Sequence, residues 1–126
     1  MVNLTPSLTL DIEGAGREIF ITLKAVGNLK HADYNAITPK IEAALLKVNN
    51  PIINLFIDGI ELKGVGFKSI FDDLNLGIKH NKALSKVAIY GNKKWQATAA
   101  NMGNRIICGE MAYFENATAA IDWLEH

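Results

Sequence analysis

A chain of 126 residues has room for one hydrophobic core, and its 49% hydrophobic and 21% charged content suits a single globular domain spanning residues 1–126. Its 13 basic and 13 acidic side chains cancel, which leaves little general pull on nucleic-acid phosphates. Its one cysteine, Cys108, permits no internal disulfide or thiolate-rich zinc site, and the chain has no run of about 18 apolar residues to span a membrane.

The opening MVNLTPSLTLDIEG has no basic segment leading into a continuous apolar one. No signal peptide is expected, and a reducing cytoplasm is the expected compartment. Ser7 to Glu13 alternates Leu8, Leu10 and Ile12 with Thr9 and Asp11, the period of a strand. Gly14-Ala15-Gly16 predicts a turn into a second strand from Glu18 to Val26, and so short a glycine-bearing link predicts an antiparallel hairpin. From His31 to Val48, Tyr34, Ile37, Ile41, Leu45 and Val48 recur at helical spacing, with Pro39 expected to kink or divide the helix. Asn49-Asn50-Pro51 ends it.

Ile52 to Ile57 is almost unbroken apolar sequence and predicts a central strand buried on both faces. A glycine-punctuated loop follows from Asp58 to Gly66. Phe67, Ile70, Phe71, Leu74 and Ile78 predict a second helix ending near His80. Lys86 to Tyr90 reads as a strand, Gly91-Asn92 as its exit turn, and a third helix starts near Lys93. Met111 to Phe114 is a last strand, and Asn116 is placed to cap a closing helix through Trp123. The order predicts an α/β fold: a mostly parallel sheet of about five strands, beginning with an antiparallel hairpin, and about four helices.

The stretch Asp72-Asp73-Leu74-Asn75-Leu76-Gly77-Ile78-Lys79-His80, followed by Lys86-Val87-Ala88-Ile89-Tyr90-Gly91-Asn92-Lys93-Lys94-Trp95, resembles the SpoIIAA-like family, relatives of STAS domains. Tyr34, Pro39, Tyr113, Phe114, Ala120, Trp123 and Leu124 fit the same pattern, so the resemblance runs from about Thr9 to Leu124. It marks Lys79, His80 and Gly91 as signature residues. The resemblance implies a STAS-related fold, more distantly like CRAL-TRIO lipid carriers, and suggests membrane association and binding of small apolar ligands. Anti-sigma-factor antagonists among STAS domains carry a phosphorylatable Ser at the start of the helix after the central strand. Residues Asp58 to Phe67 contain no Ser or Thr, and Ser69 lies further on, so no such switch is expected.

No catalytic constellation is legible. Cys108 has Glu110 as its charged neighbour, which disfavours a thiolate, and no Gly-x-Ser-x-Gly motif occurs. His31, His80 and His126 are scattered and suggest no metal site, and no cofactor is expected. Gly64-Val65-Gly66 before a helix fits a tight turn or an anion-binding loop, but neither the P-loop nor a dinucleotide fingerprint. Glycines at 59, 64 and 66 also allow a swinging lid.

The net neutrality hides an asymmetry. Leu74 to Gly109 contains no Asp or Glu, yet it holds Lys79, Lys82, Lys86, Lys93, Lys94 and Arg105. Either carboxylates from other segments neutralise these cations in space, or an anionic partner does. Ligands of open parallel sheets sit beyond the carboxyl ends of the strands. Lys93, Lys94 and Trp95 belong there, together with Lys63, Gly64, Gly66 and Phe67, and these seven are the candidate ligand-binding residues. Lys79 and His80, at the end of an antiparallel helix, fall near the opposite edge. The resulting expectation is a non-enzymatic binding module for a small apolar or amphipathic anionic ligand, with peripheral membrane association. The alternative is a STAS-like protein-interaction domain without a phosphorylation switch. Homo-oligomerisation is compatible with both, and nucleic acid with neither.

Overall fold

The computed structural model describes residues 2–5, 7–28, 31–63, 84–103 and 109–125. Its elements are β1 (Val2–Thr5), β2 (Leu8–Ala15), β3 (Glu18–Ala25), α1 (His31–Leu45), β4 (Ile52–Asp58), β5 (Leu84–Tyr90), α2 (Lys94–Gly103), β6 (Glu110–Phe114) and α3 (Ala117–Glu125). The helix expected from Phe67 to about His80 lies outside the described residues.

The strands form one six-stranded sheet in sequence order, β1-β2-β3-β4-β5-β6. β1, β2 and β3 pair antiparallel, and β3 to β6 pair parallel. All five expected strands are present. The additional one, β1, is a four-residue edge strand with an irregular register against β2.

The hairpin turn sits later than expected. Gly14 and Ala15 belong to β2, pairing with Ile19 and Glu18, so the turn is Gly16-Arg17. Gly16 has φ +62 at the first central position. A two-residue turn of that kind follows the right-handed twist of the strands and needs glycine only there. The turn also anchors the link from α1 into β4: Ile52 N donates to Arg17 O at 2.8 Å, and Arg17 Nε donates to Asn50 O at 3.1 Å.

Helix α1 is assigned unbroken through Pro39. Pro39 and Asn35, whose carbonyl loses its helical donor, are both exposed and stand on the solvent side of the helix. The helix ends at Leu45 and Leu46 is 87% exposed, while Val48 beyond the helix still packs on the core as expected. Parallel neighbours added in one direction by right-handed crossovers put their connecting helices on one face. The core agrees: Ile37, Ile41 and Leu45 of α1 and Ala100 of α2 pack with Leu10, Ile21, Leu23, Ile53, Leu55, Ile57, Val87 and Ile89.

α3 serves the other face, where Ala120 and Leu124 pack on Ala88 with Phe20, Phe56, Phe114 and Trp123 around them. Asn116 caps it as expected, its Oδ1 accepting from Ala119 N at 3.0 Å. Among the described residues, the cluster on the second face is the smaller one. In β4, Ile53, Leu55 and Ile57 are buried on the first face; on the second Asn54 is buried, while Phe56 is half-buried and stacks on Tyr90 at 6.1 Å. α3 lies antiparallel to β5, because Lys86 near the start of that strand reaches Trp123 near the end of the helix.

Candidate functional site at the carboxyl edge of the sheet

β3, β4, β5 and β6 end on the same edge, at Ala25, Asp58, Tyr90 and Phe114. Main-chain bonds continue the ladder past these ends. Gly59 N donates to Tyr90 O at 2.7 Å, and Gly91 N donates to Phe114 O at 3.0 Å. On the β3 side, Gly27 N donates to Glu61 O and Lys63 N to Gly27 O, both at 2.8 Å, with Leu62 wholly buried beneath. Asp58 Oδ1 accepts from Ile60 N at 3.3 Å and tightens the start of the loop. The segment from Gly59 to Lys63 is thus tied to both neighbours. Gly59 is buried within that network, which removes it from the expected lid hinge.

The structure brings four of the sequence candidates to this edge by main-chain position, namely Lys63, Lys93, Lys94 and Trp95, with the signature residue Gly91 beside them. Lys63 and Lys94 are exposed. Lys94 and Trp95 are the first two residues of α2. Lys93 is half-buried, and its ammonium donates to Ile60 O at 3.1 Å and to Asn92 Oδ1 at 3.4 Å. A cation at a helix start opposes the helix dipole. Here the side chain turns away and serves the β4 loop. Gly64, Gly66, Phe67, Lys79 and His80 lie outside the described residues.

The residue missed in the sequence is Gln96, whose exposure is 0%. Its Oε1 accepts from Asn92 N at 3.0 Å and from Lys93 N at 3.1 Å, while its Nε2 donates to Gly59 O at 2.6 Å. A glutamine three residues past the helix N-cap is half of a capping box, and that spacing was the available signal. Its reach to Gly59, across 37 residues of sequence, has no local signature.

Charge at the edge is mixed. Lys24 Nζ and Glu61 Oε2 stand 3.3 Å apart, with side chains 43% and 56% exposed, so solvent screens the pair. Among the described residues, Lys93 and Lys86 hold no carboxylate; each ammonium donates to a main-chain carbonyl. No group of three or more His, Cys, Asp or Glu among the described residues could hold a metal ion, and no described helix is long and apolar enough to cross a membrane.

Solved structures share this architecture, two of them as follows. An uncharacterized protein of the DUF3478 family with a SpoIIAA-like fold, from Shewanella loihica PV-4, is 37% identical, with 98% of each chain covered and a TM-score of 0.76. An anti-sigma factor antagonist from Mycobacterium paratuberculosis is 12% identical over 97% of this chain and 98% of its own, with a TM-score of 0.57, and at that identity shows the fold alone. No curated protein matches the chain. The SpoIIAA-like family model matches residues 20–125, from the middle of the opening hairpin to the last turn of α3. The chain belongs to the SpoIIAA-like family.

Proposed function

We propose that this chain is a non-enzymatic protein-interaction domain of regulatory type, docking its partner on the carboxyl edge of the sheet. One observation carries the reading. The space between the β4 loop and the β5 turn is occupied by the chain's own groups, the Gln96 carboxamide and the Lys93 ammonium. An edge filled in this way offers a firm outer surface, with Lys63 and Lys94 exposed on it and the Lys24–Glu61 pair alongside. Such a mixed-charge surface suits contact with another protein, where complementary charge sets specificity more than affinity. The fold shared with an anti-sigma factor antagonist supports the same class of role. Gly59 and Ile60 follow β4 without a hydroxyl to modify, so the contact works without a phosphorylation switch at that place.

A second reading keeps a small amphipathic anion or an anionic membrane surface as the partner, and the two exposed lysines on one edge favour it. The two readings separate in one set of experiments. The full chain, wild type and carrying both Lys63→Glu and Lys94→Glu, is used for affinity capture from its native host and for co-sedimentation with phosphatidylglycerol and phosphatidylcholine vesicles. A stoichiometric protein held by the wild type and lost by the variant, without sedimentation on either vesicle, is the expected result. Charge-dependent sedimentation on phosphatidylglycerol alone, with no captured protein, overturns the docking reading in favour of the second.

A further inference from the structure

Gly91 explains what Gln96 is for. A Cβ on residue 91 would meet Gln96 Cδ at 2.6 Å and Nε2 at 3.1 Å, far inside normal contact. The described glycines with positive φ are Gly16 and Gly27, so Gly91 is glycine for space and not for an unusual backbone. The space holds a buried carboxamide with both oxygen lone pairs used, by Asn92 N and Lys93 N, and one N–H given to Gly59 O. Unmaking such bonds in a buried place leaves polar groups without water, which costs more than the bonds themselves contribute.

We infer that Gln96 is the positioning residue of the carboxyl edge: it fastens the Gly59–Lys63 loop to the Gly91–Lys93 turn so that both present one rigid surface, and Gly91 admits it. That the surface is a docking surface rests on the reading above; the fastening does not. Three flanking bonds report on the loop side. Leu62 N donates to Gly59 O at 3.2 Å, Lys63 N to Gly27 O, and Gly27 N to Glu61 O. On the turn side the reporters are Asn92 N and Lys93 N, held by Gln96 itself.

The test is residue-resolved amide hydrogen exchange on the full chain. In Gln96→Glu the carboxylate still accepts from Asn92 and Lys93, but has no N–H for Gly59 O. A buried carboxylate facing the Gly59 carbonyl lowers the urea midpoint, so exchange at Gly27, Leu62 and Lys63 is expected to rise about tenfold beyond any rise they share with Asn92 and Lys93. A merely structural role would move all five together with global stability. Gly91→Ala, made alone and in a Gln96→Ala background, gives the second reading. Alanine should lower the urea midpoint in the first case and hardly at all in the second, because the colliding carboxamide is gone. Wild-type exchange at Gly27, Leu62 and Lys63 in Gln96→Glu, or an equal cost of Gly91→Ala in both backgrounds, overturns the fastening. Loop-side exchange that rises as expected while a captured partner binds unchanged leaves the fastening standing and removes the docking reading.

Discussion

The hydroxyl of Tyr113 shows how one residue's surroundings set a property of the whole chain. The ring is half-buried against the main core, and its ionisation lies above the ordinary 10.0, first because burial disfavours the phenolate and then because Glu115 repels it. The folded chain therefore holds the neutral phenol more firmly than the unfolded chain does. That contribution is complete below about pH 10 and is lost as pH climbs through the raised folded value. Tyr113→Phe cannot ionise. Its urea midpoint should fall less steeply than the wild type's between about pH 9 and pH 11, and parallel slopes would remove Tyr113 as the cause. Lys93 teaches a different lesson at the same scale. Its charge and its place after a strand were readable, but not its partner, the carbonyl of Ile60, 33 residues away.

At the scale of elements, α3 depends on a residue from a strand. The helix has no basic side chain in its last turn, where a cation offsets the dipole and caps free carbonyls. Lys86 of β5 supplies one, donating to Trp123 O at 2.9 Å with its ammonium 5.2 Å from the centre of the Trp123 ring. The same ring packs tilted on Phe114 at 5.5 Å, so one contact joins helix, strand and second core. Lys86→Met keeps the aliphatic stem and removes the cap and the cation–π contact. It should lose about 1–2 kcal/mol in urea unfolding, with a change in tryptophan emission. An unaltered unfolding curve would show that α3 is held by Ala120 and Leu124 alone.

Elements themselves were legible where their signal is local. Leu8 and Leu10 alternate in β2, Ile37, Ile41 and Leu45 recur in α1, and Asn116 stands before α3. The turn at Gly16-Arg17 was displaced because three neighbouring residues include two glycines and only one needs a positive φ. β1 was missed because four residues carry too little periodicity to show. Lys86 with Trp123, and Gln96 with Gly59, are each 37 residues apart, and no spacing rule reaches that far.

Across the whole molecule the sheet is unequally supported. One face carries α1 and α2 over the larger cluster of buried aliphatic side chains, while the described part of the other carries α3 over a smaller and more aromatic one. Along the sheet the support also falls away from the centre. β4 and β5 have a paired strand on each side, and their Ile53, Leu55, Ile57, Val87 and Ile89 are almost wholly buried. β1 has one neighbour, four residues and an irregular register. Local opening follows such differences, since an edge strand frees few buried contacts when it leaves and a central pair can open only with the core. In native-state hydrogen exchange with rising urea, the amides of Leu55, Ile57, Val87 and Ile89 should exchange only through global unfolding, their free energies meeting the equilibrium value. Those of β1 should exchange faster and with little dependence on urea. If β1 amides instead join the global isotherm, the antiparallel edge folds as one unit with the parallel core. The sheet's cooperativity would then come from its continuous ladder and not from the helices packed on its central strands.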